Sequence, residues 1–476
     1  MSVFDYFLLY LYFLKYLATF LLVFIFYFGF DDFIVDILYW YKSFIGKNRI
    51  KCNNLELNTL TDEPQRHLAI MIPAWQEYGI VDKMVTLLAS SCKYDKFHIF
   101  VGTYPNDLAT KKCIDEVCKR FSNVHNVICK NPGPTSKADC LNNIFKHILK
   151  MEIKYNIKFS GFILHDSEDV VHSSELELFN TYLPHNDLIQ IPVYPYVRKW
   201  YQFSCSHYID EFSELHEKDL MVRMSMTRHV PSAGVGTCLS RRAVLKLARS
   251  GRGLPFDCAS LTEDYDISIR LKQWGMKEIF VRAKAKNGYL NSHQNEDDSL
   301  ICVREFFPST FNAAVRQKSR WIVGIVFQGW KNIGWTKDWK LNYFLWRDRR
   351  CVVSNIVSFL SMIVFFQVIC IAMYQIIFDG SYFFISIFND DIFLKILSYA
   401  NFLFFINRII HRFIFVRRFY GFFNAFISIP RTVWGNVINF FANIRAIYLV
   451  ISKDNVMKIS WDKTKHDFPD IVNNKK

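Results

Sequence analysis

Asp166, Glu168 and Asp169 place three carboxylates within four residues, directly after the apolar run GFILH. Acids this close raise one another's pKa unless a cation offsets them, and hard oxygen ligands suit Mg²⁺ or Mn²⁺ carrying a diphosphate. A solvated acidic turn is the competing reading. Thr262, Glu263 and Asp264 lead into a run of helical spacing (DYDISIRLKQWG), so Thr262 is expected to cap a helix with the acids at its positive end. Asp264 would be held ionised there and accept a proton from an incoming hydroxyl; good capping alone is the alternative. Gln317, Arg320 and Trp321 are offset by three and four residues and share one helix face. An amide, a fixed cation and a flat aromatic there suit a sugar ring and a diphosphate, since Arg pairs bidentately with phosphate oxygens. An interfacial helix with a Trp anchor would look the same.

These residues need a frame, and the chain supplies one between Arg66 and Val193. Short β-rich runs at 68–72 (LAIMI), 97–102 (FHIFVG), 126–129 (NVIC) and 161–166 (GFILHD) alternate with helical stretches. That rhythm predicts an α/β domain with a mostly parallel sheet, whose ligands bind beyond the carboxyl ends of the strands. Pro73 and Glu77 follow the first run, and Asp107 lies in the turn after the second. Lys137 follows the third, in the first turn of a helix that Ser136 and Asp139 are spaced to cap, where it meets phosphate or is simply solvated. The acidic cluster follows the fourth. His165 and His172 flank it; lone histidines are more often structural than ligands, and neither is assigned a role. Gly234-Val235-Gly236-Thr237 is a flexible turn before a further helix.

The remaining residues point to lipid. The chain has 476 residues, 51% hydrophobic and 17% aromatic, which excludes a disordered chain and is high for a wholly soluble enzyme. Residues 7–30 carry only Lys15 as a charge and are long enough to cross roughly 30 Å of hydrocarbon. No basic residue precedes this run, which reads as an anchor rather than a cleaved leader. Residues 352–378 carry no charge at all, and 392–410 form a weaker third span with Lys395 and Arg408 near its ends. The stretch 421–450 is apolar but interrupted by Pro430, Arg431 and Arg445, and is expected to be interfacial or re-entrant. The tail 453–476 is polar.

Between the second and third spans, DGSYFFISIFNDD has three Asp and no Lys or Arg, whereas Arg408, Arg412, Arg417 and Arg418 follow. With Lys42, Lys47, Arg49 and Lys51 after the first span, the positive-inside rule puts the N-terminus outside and residues 42–350 in the cytoplasm. Much of the net +14 is then juxtamembrane, which removes nucleic acid as a partner. Twelve cysteines show no CxxC pair and are expected to be reduced.

The order of the motifs, ending in Gln317-x-x-Arg320-Trp321 beside a span, resembles the processive family 2 glycosyltransferases of the cellulose synthase and hyaluronan synthase type. More narrowly, GTYPND, PTSKADCLN, HDSEDVVH and RTVWGNVINFFANIRA resemble inner-membrane glycosyltransferases of the bacteriophage-adsorption protein B type. The resemblance implies an α/β GT-A (Rossmann-like) domain with transmembrane and interfacial helices, a UDP-sugar donor and a divalent metal, Mg²⁺ or Mn²⁺. It implies metal binding at Asp166 and Glu168, with Asp169 sharing the role because Glu168 replaces the usual second Asp. It implies Asp264 as general base of an inverting transfer, and Thr262, Glu263, Gln317, Arg320 and Trp321 at the acceptor and diphosphate. Pro73, Glu77, Asp107, Lys137 and Asp166 would line the nucleotide, although Asp107 lies in GTYPND rather than the usual two-Asp turn.

The expected organisation is an anchor (1–41), a cytoplasmic GT-A domain (42–310), interfacial helices (311–350), two spans (351–410) and an interfacial end with a cytoplasmic tail (411–476). The expected setting is the bacterial inner membrane, with membrane lipids and a glycan or lipid acceptor as partners. Three spans are few for a channel, so a homodimer or an outer-membrane export partner is expected. The expected product is an exopolysaccharide, with an amino sugar such as N-acetylmannosamine as the unit and phage adsorption by resemblance. The alternatives are a single-addition transferase making a lipid-linked sugar and a non-catalytic receptor or scaffold. Relatives of this type often continue into a cyclic-di-GMP-sensing domain, which is not expected within these residues.

Overall fold

The computed structural model describes residues 3–44, 53–55, 63–92, 94–285, 300–378, 391–452 and 467–469. All four expected runs are strands: β1 (His67–Pro73), β2 (Phe97–Thr103), β3 (Val124–Ile128) and β4 (Phe159–Leu164). They join β5 (Leu188–Gln190), β6 (Thr237–Ser240) and β7 (Glu278–Phe280) in one sheet of order β3-β2-β1-β4-β6-β5-β7. β1 runs parallel to β2 and β4, with Ile70 paired to both Ile99 and Ile163, and only β6 opposes its neighbours.

Side chains alternate across the sheet, so an unbroken apolar run such as LAIMI is stable only if both faces are covered. On one face Ile70, Ile72, Ile99 and Ile163 pack against Val85 and Leu88 of α1 (Val81–Ser91) and Ile114 of α2 (Leu108–Arg120). On the other, Met71, Phe100 and Phe162 pack against Leu141, Ile144 and Phe145 of α3 (Lys137–Tyr155). Ser136 caps α3 as its spacing required, its Oγ accepting from the Asp139 amide at 3.1 Å.

Among the described residues three helices are long and apolar enough to cross a membrane: an N-terminal helix (Val3–Phe44), Cys351–Ile377 and Ile392–Ile451. The first is longer than its apolar run, and its acidic end is tied into the fold. Lys218 Nζ lies 2.6 Å from Asp36 Oδ1, Arg350 Nη1 lies 2.8 Å from Asp31 Oδ2, and Arg347 Nη2 lies 3.0 Å from Asp32 Oδ1. Part of the basic charge beside the spans therefore answers these acids. The charge-poor stretch between the second and third spans, apart from Asp391, lies outside the described residues, as do Lys47, Arg49 and Lys51.

The weaker third span and the stretch 421–450 form one helical run broken at Gly421 (φ 75°, ψ 176°). Only a residue without Cβ takes that backbone cheaply. Beyond the break, the helix lays Arg431, Gly435, Ile438 and Ala442 against the helices Phe203–Glu214 and Phe311–Ile322. Arg431, which the sequence marks as costly in lipid, is fully buried against Asp210, with Nε 2.9 Å from Oδ2 and Nη2 2.5 Å from Oδ1.

Candidate active site

The carboxyl ends of β1 to β4 converge as the parallel topology requires. Pro73 ends β1, and after it the Glu77 amide donates to Thr110 Oγ1 at 3.1 Å. Past β2, the Tyr104 ring meets Trp75 edge-on at 5.1 Å, and its hydroxyl is 2.8 Å from Thr135 Oγ1. Asp107 is occupied differently: its carboxylate caps α2 through the Thr110 amide (3.3 Å) and takes the Gln76 amide (2.6 Å). It braces the loop after β1.

Lys137 opens α3 and reaches across the strand ends. Its Nζ is 2.6 Å from Asp166 Oδ1 and donates to the Gly234 carbonyl at 3.3 Å. Burial alone would lower its pKa, but Asp166, Glu263 and Asp264 outweigh that and hold it raised. Lys137 is thus a cation that lets three carboxylates approach one another.

The acidic cluster is divided by its turn. Asp166 and Glu168 face the open space, with Ser167 donating to Glu168 Oε2 at 3.1 Å. Asp169 turns inward: its Oδ2 is 2.8 Å from His165 Nδ1 and accepts from the Asp166 amide at 3.0 Å. His165 Nε2 is 2.8 Å from Glu175 Oε1, and the histidine, Asp169 and Glu175 are all buried. With both ring nitrogens on carboxylates, His165 is held protonated, its pKa raised to about 10 against the opposing effect of burial. His165, which the sequence left unassigned, clamps the turn that presents Asp166.

Asp264 enters from the other wall, in the first turn of α4 (Glu263–Gln273). Its Oδ1 accepts from the Tyr265 amide at 2.8 Å, while Oδ2 lies where a Cβ on Gly234 would come within 2.2 Å. Gly234 also has φ +76°, so the turn that looked merely flexible is a close approach required at this carboxylate. Burial raises the Asp264 carboxyl above its usual range, against Lys137, and pushes Glu263 up to about 7 with help from Asp264. Thr262 occupies the cap position, but its hydroxyl makes no capping bond; it lies against Gly324, whose Cβ would come within 2.4 Å. The expected cap is corrected accordingly: the close backbone of Gly324 fills the space beside the hydroxyl.

Gln317, Arg320 and Trp321 lie on α5 (Phe311–Ile322), which continues into a π-helical turn, Val323–Gln328. Trp321 stacks edge-on to Tyr208 at 6.0 Å. One cavity of about 1590 Å³ is lined by every one of these candidate residues except Asp107 and Asp169. The same cavity continues between the long helices, past Ser354, Ser358 and Ser361 of Cys351–Ile377 and Asn401 of Ile392–Ile451, to Leu21 and Ile25 of the N-terminal helix.

Among the described residues no group of three or more His, Cys, Asp or Glu side chains forms a metal-binding cluster. Asp166 and Glu168 offer two hard oxygen donors lining the cavity, which fits a cation whose remaining ligands come from phosphates and water.

Residues 161–378 match the family described as Glycosyl transferase family group 2. That match contains the acidic cluster, Thr262 to Asp264 and Gln317 to Trp321. Bacteriophage adsorption protein B of Escherichia coli (strain K12) and bacteriophage N4 adsorption protein B of Escherichia coli O157:H7 are each 49% identical across 98% of this chain. The chain spans 64% of the length of each of these curated relatives. A mannosyltransferase from Pyrobaculum calidifontis, solved with GDP-Man and Mn²⁺, superposes with a TM-score of 0.51 at 10% identity, covering 90% of this chain and 99% of that one. At that identity the likeness carries the fold alone, and the fold of the α/β domain is GT-A-like.

The sequence left Trp75, Tyr104 and Gly234 outside the candidate residues. The aromatic pair had a usable signal, since each ring lies within two residues of a strand's carboxyl end. Gly234 had none beyond a Gly-rich turn.

Proposed function

We propose that the chain is a membrane-bound inverting glycosyltransferase that uses a UDP-sugar to synthesise or extend an exopolysaccharide. The observation that carries this reading is the meeting of Asp264, Lys137 and Asp166 in one cavity that continues between the long apolar helices. Asp264 takes the proton of an acceptor hydroxyl, whose oxygen attacks the anomeric carbon as the bond from that carbon to the diphosphate breaks. A pKa raised by burial makes Asp264 a stronger base than a surface aspartate. Lys137 and Arg320 face the leaving UDP, where stabilising developing charge supplies most of the rate. Asp166 and Glu168 would hold Mg²⁺ or Mn²⁺, which would supply further charge neutralisation at the diphosphate. Gln317 and Trp321 orient the acceptor sugar, and Trp75 with Tyr104 flanks the nucleotide.

The proposed setting is the bacterial inner membrane, with this domain on the cytoplasmic side and the N-terminus outside. Phage adsorption is proposed from the names of the 49% identical relatives, and an amino-sugar unit from the motif resemblance alone. A homodimer or an export partner would complete a path for the product.

Transfer to a lipid-linked acceptor is a second reading, favoured by the apolar far end of the cavity at Leu21 and Ile25. Detergent-purified chain with Mn²⁺ across a panel of UDP-sugars tests the proposal by UDP release, with Asp264→Asn alongside. Release with one donor, lost in the variant, supports it; release retained in Asp264→Asn overturns the base. A product that does not lengthen with donor concentration favours the lipid acceptor.

A further inference from the structure

The helix that carries Asp264 is gripped at its start by the segment that leads into the membrane. Gln328, fully buried in the π-helical turn, accepts from the Leu261 amide at 2.8 Å and donates to the Ala259 carbonyl at 3.2 Å. Asn332 donates to Asp266 Oδ2 at 3.0 Å. Tyr265 donates its hydroxyl to Asp348 Oδ2 at 2.6 Å, and Arg223 Nη1 donates to both Asp348 oxygens at 3.0 and 2.8 Å. Arg223 is fixed in turn, buried and stacked over Phe344 at 5.5 Å. Asp348 lies on the helix Trp339–Arg349, and the apolar helix Cys351–Ile377 starts three residues later.

We propose that Asp348, acting through Tyr265, positions Asp264, so that the base is aligned by the segment entering the membrane as well as by the sheet. The coupling is short: the same Tyr265 whose hydroxyl binds Asp348 donates its amide to Asp264 Oδ1 at 2.8 Å. A shift of the Tyr265 backbone therefore moves the carboxylate directly. The charge-assisted bond at one end and Arg223 Nη1 donating to both Asp348 oxygens behind it give that backbone a single favoured place. Asp348 and Tyr265 are positioning residues in this account, which rests on the reading of Asp264 as the base.

The test uses the full chain in detergent with whichever donor it turns over. Tyr265→Phe deletes one hydroxyl and Asp348→Asn keeps the shape of the acceptor. Each is expected to lower kcat roughly 10- to 100-fold, because small misplacements of a reacting group are costly. The donor KM and the calorimetric affinity for UDP with Mn²⁺ are expected to stay within about twofold, since only the transition state loses alignment. The double variant is expected to be no worse than the worse single one, as for two members of one relay. If Asp264→Asn is inactive while both variants keep kcat within about twofold, the positioning role is overturned and the base stands. If Asp264→Asn still transfers sugar, the base reading falls first. A raised KM and weakened UDP binding together with a lowered Tm would make the contact one of general stability and overturn the proposal.

Discussion

Lys137 Nζ lies 2.6 Å from Asp166 Oδ1, joining the first turn of one helix to the acidic turn after β4. The ammonium also raises no net charge conflict with Glu263 and Asp264, which pull its pKa up together with Asp166. Lys137→Met should therefore lower kcat by about 10²- to 10³-fold, the scale for losing one charge stabiliser in a transition state. Steady-state kinetics with Lys137→Arg as the charge-retaining control checks it; equal kcat for wild type and Lys137→Met would refute the role.

Gly234 sets the clearance of the base. A methyl group there would meet Asp264 Oδ2 at 2.2 Å, and φ +76° disfavours any side chain. Gly234→Ala should cost about 1 kcal/mol of stability from the backbone alone. It should lower kcat far more, by about 10²-fold, through displacement of the carboxylate. Thermal unfolding and turnover on the same preparation separate the two effects.

Glu263 gives a pH signature. Its carboxyl is raised from 4.5 to about 7, by burial first and Asp264 second. A raised acid stabilises the fold fully below pH 4.5, where it is protonated in both states. As pH climbs to about 7 the unfolded chain releases the proton while the folded one keeps it, so stability falls over that window. The loss follows from linkage, and Glu263→Gln should flatten it. Chemical denaturation between pH 4.5 and 8 measures the slope; an unchanged slope in the variant would count against this assignment.

Asp169 and Glu168 should fail in different ways although they are neighbours. Glu168→Gln leaves the turn intact and should raise the Mn²⁺ concentration for half-maximal activity by roughly tenfold or more, with Tm unchanged. Asp169→Ala strips a partner from the buried His165 and should cost about 3–5 kcal/mol. Metal titration and thermal unfolding of the two variants test the division. A large metal effect in Asp169→Ala at unchanged Tm would reassign Asp169 to the ligand set.

The first four strands of the sheet, the apolar helices and the Ser136 cap were legible in the chain because each depends on neighbours within a few residues. Unbroken apolar runs require a sheet covered on both faces, long uncharged runs require lipid or an equivalent, and a serine three residues before an amide can cap it. The tertiary structure alone decided which carboxylates face the cavity. Asp107 and Asp166 both follow strands of the same sheet, yet one caps a helix and the other meets Lys137, and nothing in the residue type distinguishes them. Likewise, the fate of Arg431 depended on Asp210, 221 residues away, and the meaning of Gly234 on Asp264 across the cavity. Contacts at that separation are set by how the sheet, the interfacial helices and the long apolar helices pack together. Local propensity and spacing do not encode that packing one residue at a time.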